Sequence, residues 1–408
     1  MVPGALSRAA LATVLALAFA ERGTARGEER FYLVVKGGSV KLGETPVLAA
    51  VPDSVPVGIY ETTPAGGQTS RAVQVFEERG RRVVALVTAK LKPGVAYPIT
   101  LRAVDAASEG ARRGVHFTPR DKNLVVTLDG RPFTEYRVDV GNKPFLDPVI
   151  GPGGISYTRA YPMREVAGED HDHPHQRSFW FTHGAVSGVD FWAETKKSGV
   201  IREIERTVVA AGPVVGRLAT RDEWLAPDGR VVCEDERTMT FLHTSRYRII
   251  DLDVTIKATS GPVVLGDTKE GTFGIRVASS MDVNRKKGGK ITNALGQHDD
   301  EAWGKASPWV DYTGPIGDHT AGIAILNHPS SFRHPTTWHV RTYGLFAANP
   351  FGYHDFGRPE RGDYTIPKGE SITLRHRVIL HEGASSPDEL GADFEAYAHP
   401  PEVVVETR

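Results

Sequence analysis

Four of the chain's 15 histidines lie within the segment EDHDHPHQRSFWFTHG, residues 169–184. His171, His173 and His175 are two residues apart, and Pro174 favours an extended backbone at His173. Alternate side chains of an extended segment point to the same side, so these imidazoles can converge. The spacing predicts either a metal site or a pocket for proton transfer. The alternative is a histidine-rich surface loop without a function.

In the metal interpretation, His171, His173 and His175 bind a divalent transition metal. Imidazole nitrogens at this spacing can bind zinc, copper or iron. Asp170, Asp172 or a distant carboxylate then completes the coordination shell. Binding of this kind requires neutral imidazoles and partners that orient them.

In the second interpretation, the same segment transfers protons without a metal. His175 or His183 is the expected acid, because imidazole titrates near neutral pH. The expected base is Glu270, from the segment GDTKEGTFGIRVA at residues 266–278. Arg177 is expected to hold a carboxylate or an oxyanion.

Aromatic and charged residues elsewhere are expected to bind a carbohydrate or another small molecule. Indole rings stack on sugar rings, while charged and amide groups fix hydroxyls. Three of the six tryptophans lie between residues 303 and 338, in segments rich in glycine, proline and histidine. The alternative is that these aromatic residues belong to the core. The expected binding residues are His173, Trp192, Lys269, Arg276, Trp303, Trp338, Arg341 and Asn349.

The charge balance argues against a nucleic-acid partner. Lys and Arg number 49 and Asp and Glu number 50, so the formal net charge is -1 and no basic field is present. Beyond the N-terminal segment, no apolar run reaches the roughly 18 residues that a membrane-spanning helix requires. The composition therefore favours a small-molecule partner and no membrane span.

Residues 1–20 are predicted to be a signal peptide. An apolar run from Ala9 ends in Ala18-Phe19-Ala20, the small-x-small pattern of a cleavage site. We expect export to the periplasm or cell exterior as a soluble protein. The single cysteine, Cys233, excludes an intramolecular disulfide, so the exported chain must rely on its core.

The elements that must position these residues are predicted to be almost all strands. Short β-rich runs separated by turns indicate a small module over residues 30–104, and residues 105–114 read as a linker. Alternation in YRIIDLDVTIKA and the Asp129-Gly130 turn signal indicate antiparallel strands within a domain over residues 115–400. Ser386 and the proline after it mark the start of one C-terminal helix. We expect a mainly β protein, with a large antiparallel β-sandwich after the small module.

Four segments in this order between residues 120 and 385 resemble the DUF6807 family, which is often labelled methane oxygenase PmoA. They are DHPHQRSFWFTHGAVSGVDFW, GDTKEGTFGIRVA, WGKASPWVDYTG and HPTTWHVRTYGLFAANPFG. The family is found in bacteria rich in polysaccharide-degrading genes, often beside sugar oxidoreductases, so the resemblance implies a carbohydrate role. The architecture is also similar to the supersandwich of galactose-mutarotase-like proteins.

The resemblance also assigns individual positions. At Gln176 and Ser178 the sequence departs from the family, which usually has histidine and glycine there. The methane label conflicts with the residues, because the subunit that it names is built from long transmembrane helices. The family positions correspond to His173, His175, Arg177, His183, Asp190, Trp192, Asp267, Lys269, Glu270, Arg276, Trp303, Trp309, Asp311, Pro335, Trp338, Arg341 and Asn349.

The sequence leaves three functional hypotheses. The first is an exported carbohydrate-active enzyme, a lyase, hydrolase or epimerase, that uses histidine and glutamate as acid and base. The second is a glycan-binding protein without catalysis that uses the same surface. The third is a metalloenzyme with histidine ligands, such as an oxygenase. Methane oxidation is not expected.

Overall fold

The structure, a computed structural model, describes residues 30–63, 69–105 and 113–406. The predicted signal peptide, residues 1–20, and most of the predicted linker, residues 105–114, lie outside the described residues. Within this part of the chain, no helix is long and apolar enough to cross a membrane.

The N-terminal unit is a seven-stranded antiparallel sheet. Its first six strands are β1 (Arg30–Lys36), β2 (Thr45–Val51), β3 (Gly58–Thr63), β4 (Thr69–Glu78), β5 (Arg81–Thr88) and β6 (Ala96–Val104). The seventh strand is Glu402–Glu406, which pairs with β1. The sheet order is β2-β5-β4-β3-β6-β1 followed by this last strand. The module that the sequence predicts over residues 30–104 is therefore joined by the C-terminal segment.

The larger unit is a sandwich of two eight-stranded antiparallel sheets that share one apolar core. Its strands are β7 (Val115–Arg120), β8 (Asn123–Leu128), β9 (Arg131–Arg137), β10 (Phe145–Leu146), β11 (Phe179–His183), β12 (Val200–Ala210), β13 (Val215–Leu225), β14 (Val231–His243), β15 (Arg248–Lys257), β16 (Val263–Leu265), β17 (Gly271–Arg276), β18 (Lys290–Asn293), β19 (Trp309–Ile316), β20 (His319–Asn327), β21 (Trp338–Val340), β22 (Leu345–Ala348), β23 (Tyr364–Ile366) and β24 (Ser371–Glu382).

One sheet, here called the site sheet, has the order β21-β22-β17-β11-β10-β9-β8-β7. The other, the back sheet, has the order β12-β13-β14-β15-β24-β20-β19-β18. Strands β16 and β23 pair separately. Three short 3-10 helices occur at Ser279–Met281, Val283–Arg285 and Asp299–Ala302.

Alternating side chains build the core between the two sheets. In β15, Ile250, Leu252 and Val254 are buried, while the aspartates between them are only partly buried. This is the period of two that a strand with one buried face produces. From the site sheet, Phe179 and Phe273 enter the same core with ring centroids 4.8 Å apart.

The C-terminal helix α1 (Pro387–Ala398) begins at a capping box. The Ser386 Oγ accepts a hydrogen bond from the Glu389 backbone amide at 3.2 Å, and the Glu389 carboxylate accepts one from the Ser386 amide at 3.0 Å. Leu390 packs in a cluster with Phe76 of the N-terminal unit and Ile379 of the back sheet. The helix thus lies where the two units meet, and the last strand, now β25 (Glu402–Glu406), follows it. The predicted mainly β fold with one C-terminal helix is confirmed.

Candidate functional site

The outer face of the site sheet has an aromatic floor. The pairing register places Phe145, Trp180, Gly274, Ala347 and His339 side by side on five neighbouring strands. This row points away from the core because the residues on either side of it along the strands point inward. A Cβ atom at Gly274 would lie only 2.6 Å from Trp180 Cζ2, so the indole lies directly over this glycine. The inward neighbours include Phe179, Phe181, Phe273, Ile275, Trp338, Val340, Phe346 and Ala348.

Side chains from several loops surround this floor in a closed series of contacts. The loops are those before and after β11, the segment before β17, the segment after the last 3-10 helix, the β21–β22 loop and the loop after β22. We call this set, together with His339 of β21, the candidate site. Its members are His173, His175, Trp192, Lys269, Glu270, Trp303, His339, Arg341, Tyr343 and Phe356.

One side of the candidate site is a run of neighbouring aromatic and imidazole rings. The imidazole of His173 stacks on Tyr343 with centroids 5.2 Å apart and an interplanar angle of 7°. The His175 ring lies 5.7 Å from the His173 ring and 6.3 Å from the Trp192 ring. Trp192 is buried against Trp180 of the floor at 5.5 Å.

The other side combines a guanidinium with further rings. The Arg341 Cζ lies 5.8 Å from the Tyr343 centroid and 5.6 Å from the Trp303 centroid. The Trp303 ring meets the edge of Phe356 at 5.4 Å. Phe356 in turn lies 6.3 Å from His339. These distances are those of cation–π and edge-to-face contacts.

The segment before β17 closes the series. The His339 Nδ1 is 2.8 Å from the Lys269 carbonyl oxygen, and Glu270 follows directly. A Cβ atom at Gly184 would lie 2.8 Å from Glu270 Cβ and 3.6 Å from Trp192 Cβ. Glu270 and Trp192 therefore flank this glycine, and the contacts return to the side on which they began.

An aspartate orients one histidine of the candidate site. The His173 Nδ1 donates a hydrogen bond to Asp172 Oδ2 at 2.6 Å. Asp172 Oδ1 accepts one from Arg276 Nη2 at 2.8 Å and another from Arg159. Burial raises the pKa of Asp172, but the Arg276 charge and the hydrogen bonds from His173, Arg276 and Arg159 together lower it to about 2. An ionised carboxylate thus fixes the His173 tautomer.

Glu270 is the acidic group of the candidate site. Its carboxylate has no hydrogen-bond partner among the described residues, and the side chain is half-buried. Burial raises the pKa of Glu270, the Lys269 charge lowers it in opposition, and the Asp355 charge raises it further. The charge of His173 also acts on this carboxyl, which places the Asp172–His173 pair within electrostatic range.

Two further histidines are neutral near pH 7. Burial, together with the charges of Lys143 and His173, lowers the pKa of His175 to about 4. Burial likewise lowers the pKa of His339 to about 4. A carbonyl only accepts hydrogen bonds, so the His339 Nδ1 carries the proton toward Lys269 and the Nε2 lone pair remains open. Both rings are therefore hydrogen-bond acceptors for a ligand.

A comparison with protein families finds a match over most of the larger unit. A family described as a family of unknown function (DUF6807) matches residues 123–395. The chain belongs to the DUF6807 family. The matched range contains every residue of the candidate site, and it confirms the family predicted from the four motifs. No curated protein matches the chain.

The structure brings together seven residues of the DUF6807 domain that the sequence predicts for binding or catalysis. Lys269 and Arg341 come from segments more than seventy positions apart in the chain, and the pairing of β17 with β22 and of β22 with β21 brings these segments together. The seven residues are His173, His175, Trp192, Lys269, Glu270, Trp303 and Arg341.

His183, which the sequence proposes as an acid, lies apart from the candidate site. It is fully buried, and its Nε2 donates a hydrogen bond to the Gly266 carbonyl at 2.8 Å. Its Nδ1 has no partner in the described part of the chain, and burial lowers the pKa of the ring to about 4. A Cβ atom at Gly271 would lie 2.3 Å from Nδ1, so the ring fills the space beside that glycine.

The two other arginines proposed for the site are held by carboxylates. Arg177 contacts both oxygens of Glu194 at 2.9 and 2.6 Å, and the buried Lys143 approaches the same carboxylate at 2.8 Å. Arg276 is buried beneath Tyr343 and reaches Asp172. Arg276 therefore supports the histidine loop from below.

Trp338 and Asn349 are also placed behind the candidate site. Trp338 is completely buried on the core side of β21, where its Nε1 donates to the Ser307 carbonyl at 2.9 Å. Asn349 is completely buried and donates from Nδ2 to the carbonyls of Thr268 and Lys269 at 2.9 Å each. Asn349 thus fixes the segment that carries Glu270.

The three alternating histidines do not converge. His171 stacks on Tyr161 at 4.5 Å and pairs with Glu165 at 3.0 Å, whereas His173 faces Tyr343. In residues 30–63, 69–105 and 113–406, no group of three or more His, Cys, Asp or Glu side chains is arranged to hold a metal ion. The positions of His171, His173 and His175 therefore do not form a single coordination shell.

Gln176 is tied to the arginine beneath the site. It is buried, and its Oε1 accepts a hydrogen bond from Arg276 Nη1. Because Arg276 also pairs with Asp172, Gln176 belongs to the network that holds the histidine loop.

Sequence reasoning missed the site roles of His339, Tyr343 and Phe356. For His339 a signal was present, because Trp338 and Val340 on either side are apolar and a strand turns the residue between them outward. Tyr343 and Phe356 lie in loops whose conformations have no sequence period, so no comparable signal marks them.

Proposed function

We propose that this DUF6807 protein is an exported carbohydrate-active enzyme that uses acid–base chemistry on a glycan or sugar derivative. The single observation that carries the proposal is a Glu270 carboxyl that has no hydrogen-bond partner among the described residues and lies within electrostatic range of the Asp172–His173 pair, in a site lined by aromatic side chains. Export rests on residues 1–20, and N-terminal sequencing of the protein from culture fractions tests it.

The walls of the candidate site suit a sugar. Aromatic faces at the half-buried Trp303 and Tyr343 offer the apolar surface on which the C–H side of a pyranose stacks, and the buried Trp192 packs behind them. The neutral rings of His175 and His339 accept hydrogen bonds from hydroxyls. Such a mixture of ring faces and acceptors favours a polyhydroxylated ligand over a purely apolar one.

The electrostatics assign the two proton-transfer roles. Because burial raises the pKa of Glu270, its carboxyl retains a proton at higher pH than an exposed glutamate does and serves as the donor. His173, oriented by Asp172, is the acceptor, as in other sites where a carboxylate fixes a histidine. These roles reverse the expectation of a histidine acid and a glutamate base. Lyases, hydrolases and epimerases all use such a pair.

The test combines a substrate screen with an isosteric variant. The chain from Glu21 onward is incubated with neutral and acidic polysaccharides and oligosaccharides, and products are identified by mass spectrometry. On the substrate found, Glu270→Gln should lower kcat by about 10²- to 10⁴-fold, the usual contribution of a general acid, with little change in binding. Glu360→Gln, at an exposed pair with Arg358, is the matched control. Full turnover by Glu270→Gln would contradict the assignment.

The same screen addresses the glycan-binding alternative. If the wild-type protein binds a glycan without forming a product, the candidate site is a binding surface. In that case Trp303→Ala should weaken binding and Glu270→Gln should leave it unchanged, because stacking rather than proton transfer would then be the function.

A further inference from the structure

We infer that the sugar bound in the candidate site carries a carboxylate. The inference rests on the proposed function and specifies its substrate class. Its basis is a pair of half-buried cationic residues of the site, Lys269 and Arg341, whose charges both act on His339, with Arg341 also in contact with the rings of Trp303 and Tyr343.

Neither Lys269 nor Arg341 forms an ion pair with an acidic side chain of the described residues. Both side chains are half-buried, yet no ion pair or hydrogen bond of the Lys269 Nζ or the Arg341 guanidinium is found among the described residues. The arginines just behind the site differ. Arg177 is paired with Glu194, and Arg276 with Asp172.

The surroundings of Arg341 favour an anionic ligand for its guanidinium. Its guanidinium lies between the rings of Trp303 and Tyr343, and its Nε is buried without a hydrogen-bond partner in the described part of the chain. Ring faces on two sides exclude water, so an ionic hydrogen bond formed there is stronger than one at an open surface. A guanidinium matches the two oxygens of a carboxylate in a planar fork.

The two nearby aspartates accept hydrogen bonds from backbone amides. The Asp190 Oδ1 accepts hydrogen bonds from the Trp192 and Ala193 amides at 2.8 and 3.1 Å. The Asp355 Oδ2 accepts one from the Lys269 amide at 2.7 Å. Burial of Glu270 favours its neutral form. The charged N–H donors of the rim are therefore left for a ligand acceptor, and a carboxylate on a sugar ring meets that need.

The test separates charge from shape. The chain from Glu21 onward is titrated by calorimetry with uronate oligosaccharides of several types and with their methyl esters, which keep the sugar and remove the charge. Neutral and sulfated oligosaccharides complete the panel. Lys269→Gln and Arg341→Gln remove one cation each, and Lys287→Gln, at an exposed loop position, is the matched control.

The expected result is that a uronate binds about tenfold to a hundredfold more tightly than its methyl ester. Lys269→Gln and Arg341→Gln should each remove much of this difference, while Lys287→Gln should retain it. Equal binding of acid and ester, or binding of sulfated sugars in place of uronates, would overturn the inference and leave the carbohydrate function standing. If no sugar binds, the inference and the proposed function both fail.

Discussion

Asp172→Asn tests whether one carboxylate supports the whole histidine loop. Arg159 and Arg276 have side chains with 0% and 1% exposure, and Asp172 is the carboxylate that pairs with both. The same carboxylate accepts the hydrogen bond from His173. The substitution keeps the shape and removes the charge, so two buried guanidiniums lose their counterion.

The expected magnitude follows from these contacts. An asparagine oxygen replaces one of the three charge-assisted hydrogen bonds and weakens or loses the others, each of which contributes about 1.5–3 kcal/mol. Asp172 is 39% exposed, so solvent screens part of this loss. We therefore expect the free energy of unfolding to fall by about 2–4 kcal/mol. For a chain of this size, where 1 kcal/mol corresponds to roughly 2–4 °C, Tm should fall by about 5–15 °C.

Thermal unfolding at pH 7, followed by circular dichroism, measures this effect. Glu165→Gln is the matched control, because it breaks an exposed pair with His171 in the same loop and should cost less than about 1 kcal/mol. The pH dependence of this stabilisation also follows from the pKa of Asp172. Since the pKa of Asp172 is lowered to about 2, its stabilisation is complete above about pH 4 and is lost as pH falls toward 2. Equal melting temperatures for the two variants would refute the reasoning.

Three further predictions concern stability. Burial raises the pKa of Asp282 to about 8, so the folded state keeps a proton that the unfolded state releases near pH 4. The free energy of unfolding therefore falls as pH rises between these two values. Asp282→Asn should reduce this pH dependence, which melting temperatures at pH 5 and pH 8 measure. Gly271→Ala, with a Cβ atom 2.3 Å from His183 Nδ1, should destabilise by about 1–3 kcal/mol in urea unfolding, whereas Gly261→Ala, with nothing within 4 Å, should not. Ser386→Ala should cost about 1 kcal/mol through the lost helix cap, and an unchanged urea midpoint would argue against that cap.

Local signals in the sequence were sufficient for the strands and turns. Asp129 and Gly130 have φ of 50° and 72°, which is the left-handed pair that a two-residue hairpin between β8 and β9 requires. The alternation along β15 and the cap at Ser386 were read in the same way. The pairing of β25 with β1 was not predicted, because it joins residues such as Lys36 and Glu402 that no local pattern connects.

The candidate site shows a different limit. In FWFTH, residues 179–183, apolar side chains occupy both faces of the strand, since Phe179 and Phe181 enter the core while Trp180 forms the outer floor. Because neither face of this strand is polar, the alternation of side chains does not show to which side of the sheet His183 points. The sequence therefore identified a histidine-rich site but did not separate the buried His183 from the rim histidines.

Strand β17 explains how the two groups that we propose for proton transfer keep their positions. Glu270 directly precedes its first residue, and Arg276 is its last. Arg276 holds Asp172, which holds His173, so the loop that carries His173 is tied to the strand that Glu270 precedes.

The middle of β17 must stay open for this arrangement to work. Gly274 is the central outward position of the strand and has no side chain, so Trp180 lies over it as a flat floor between the donor and the arginine. A larger residue there would push the indole into the space where the sugar is proposed to bind. The glycine and the salt-bridged loop thus have complementary roles in the proposed site, because the glycine leaves room for the buried Trp180 and the loop orients His173.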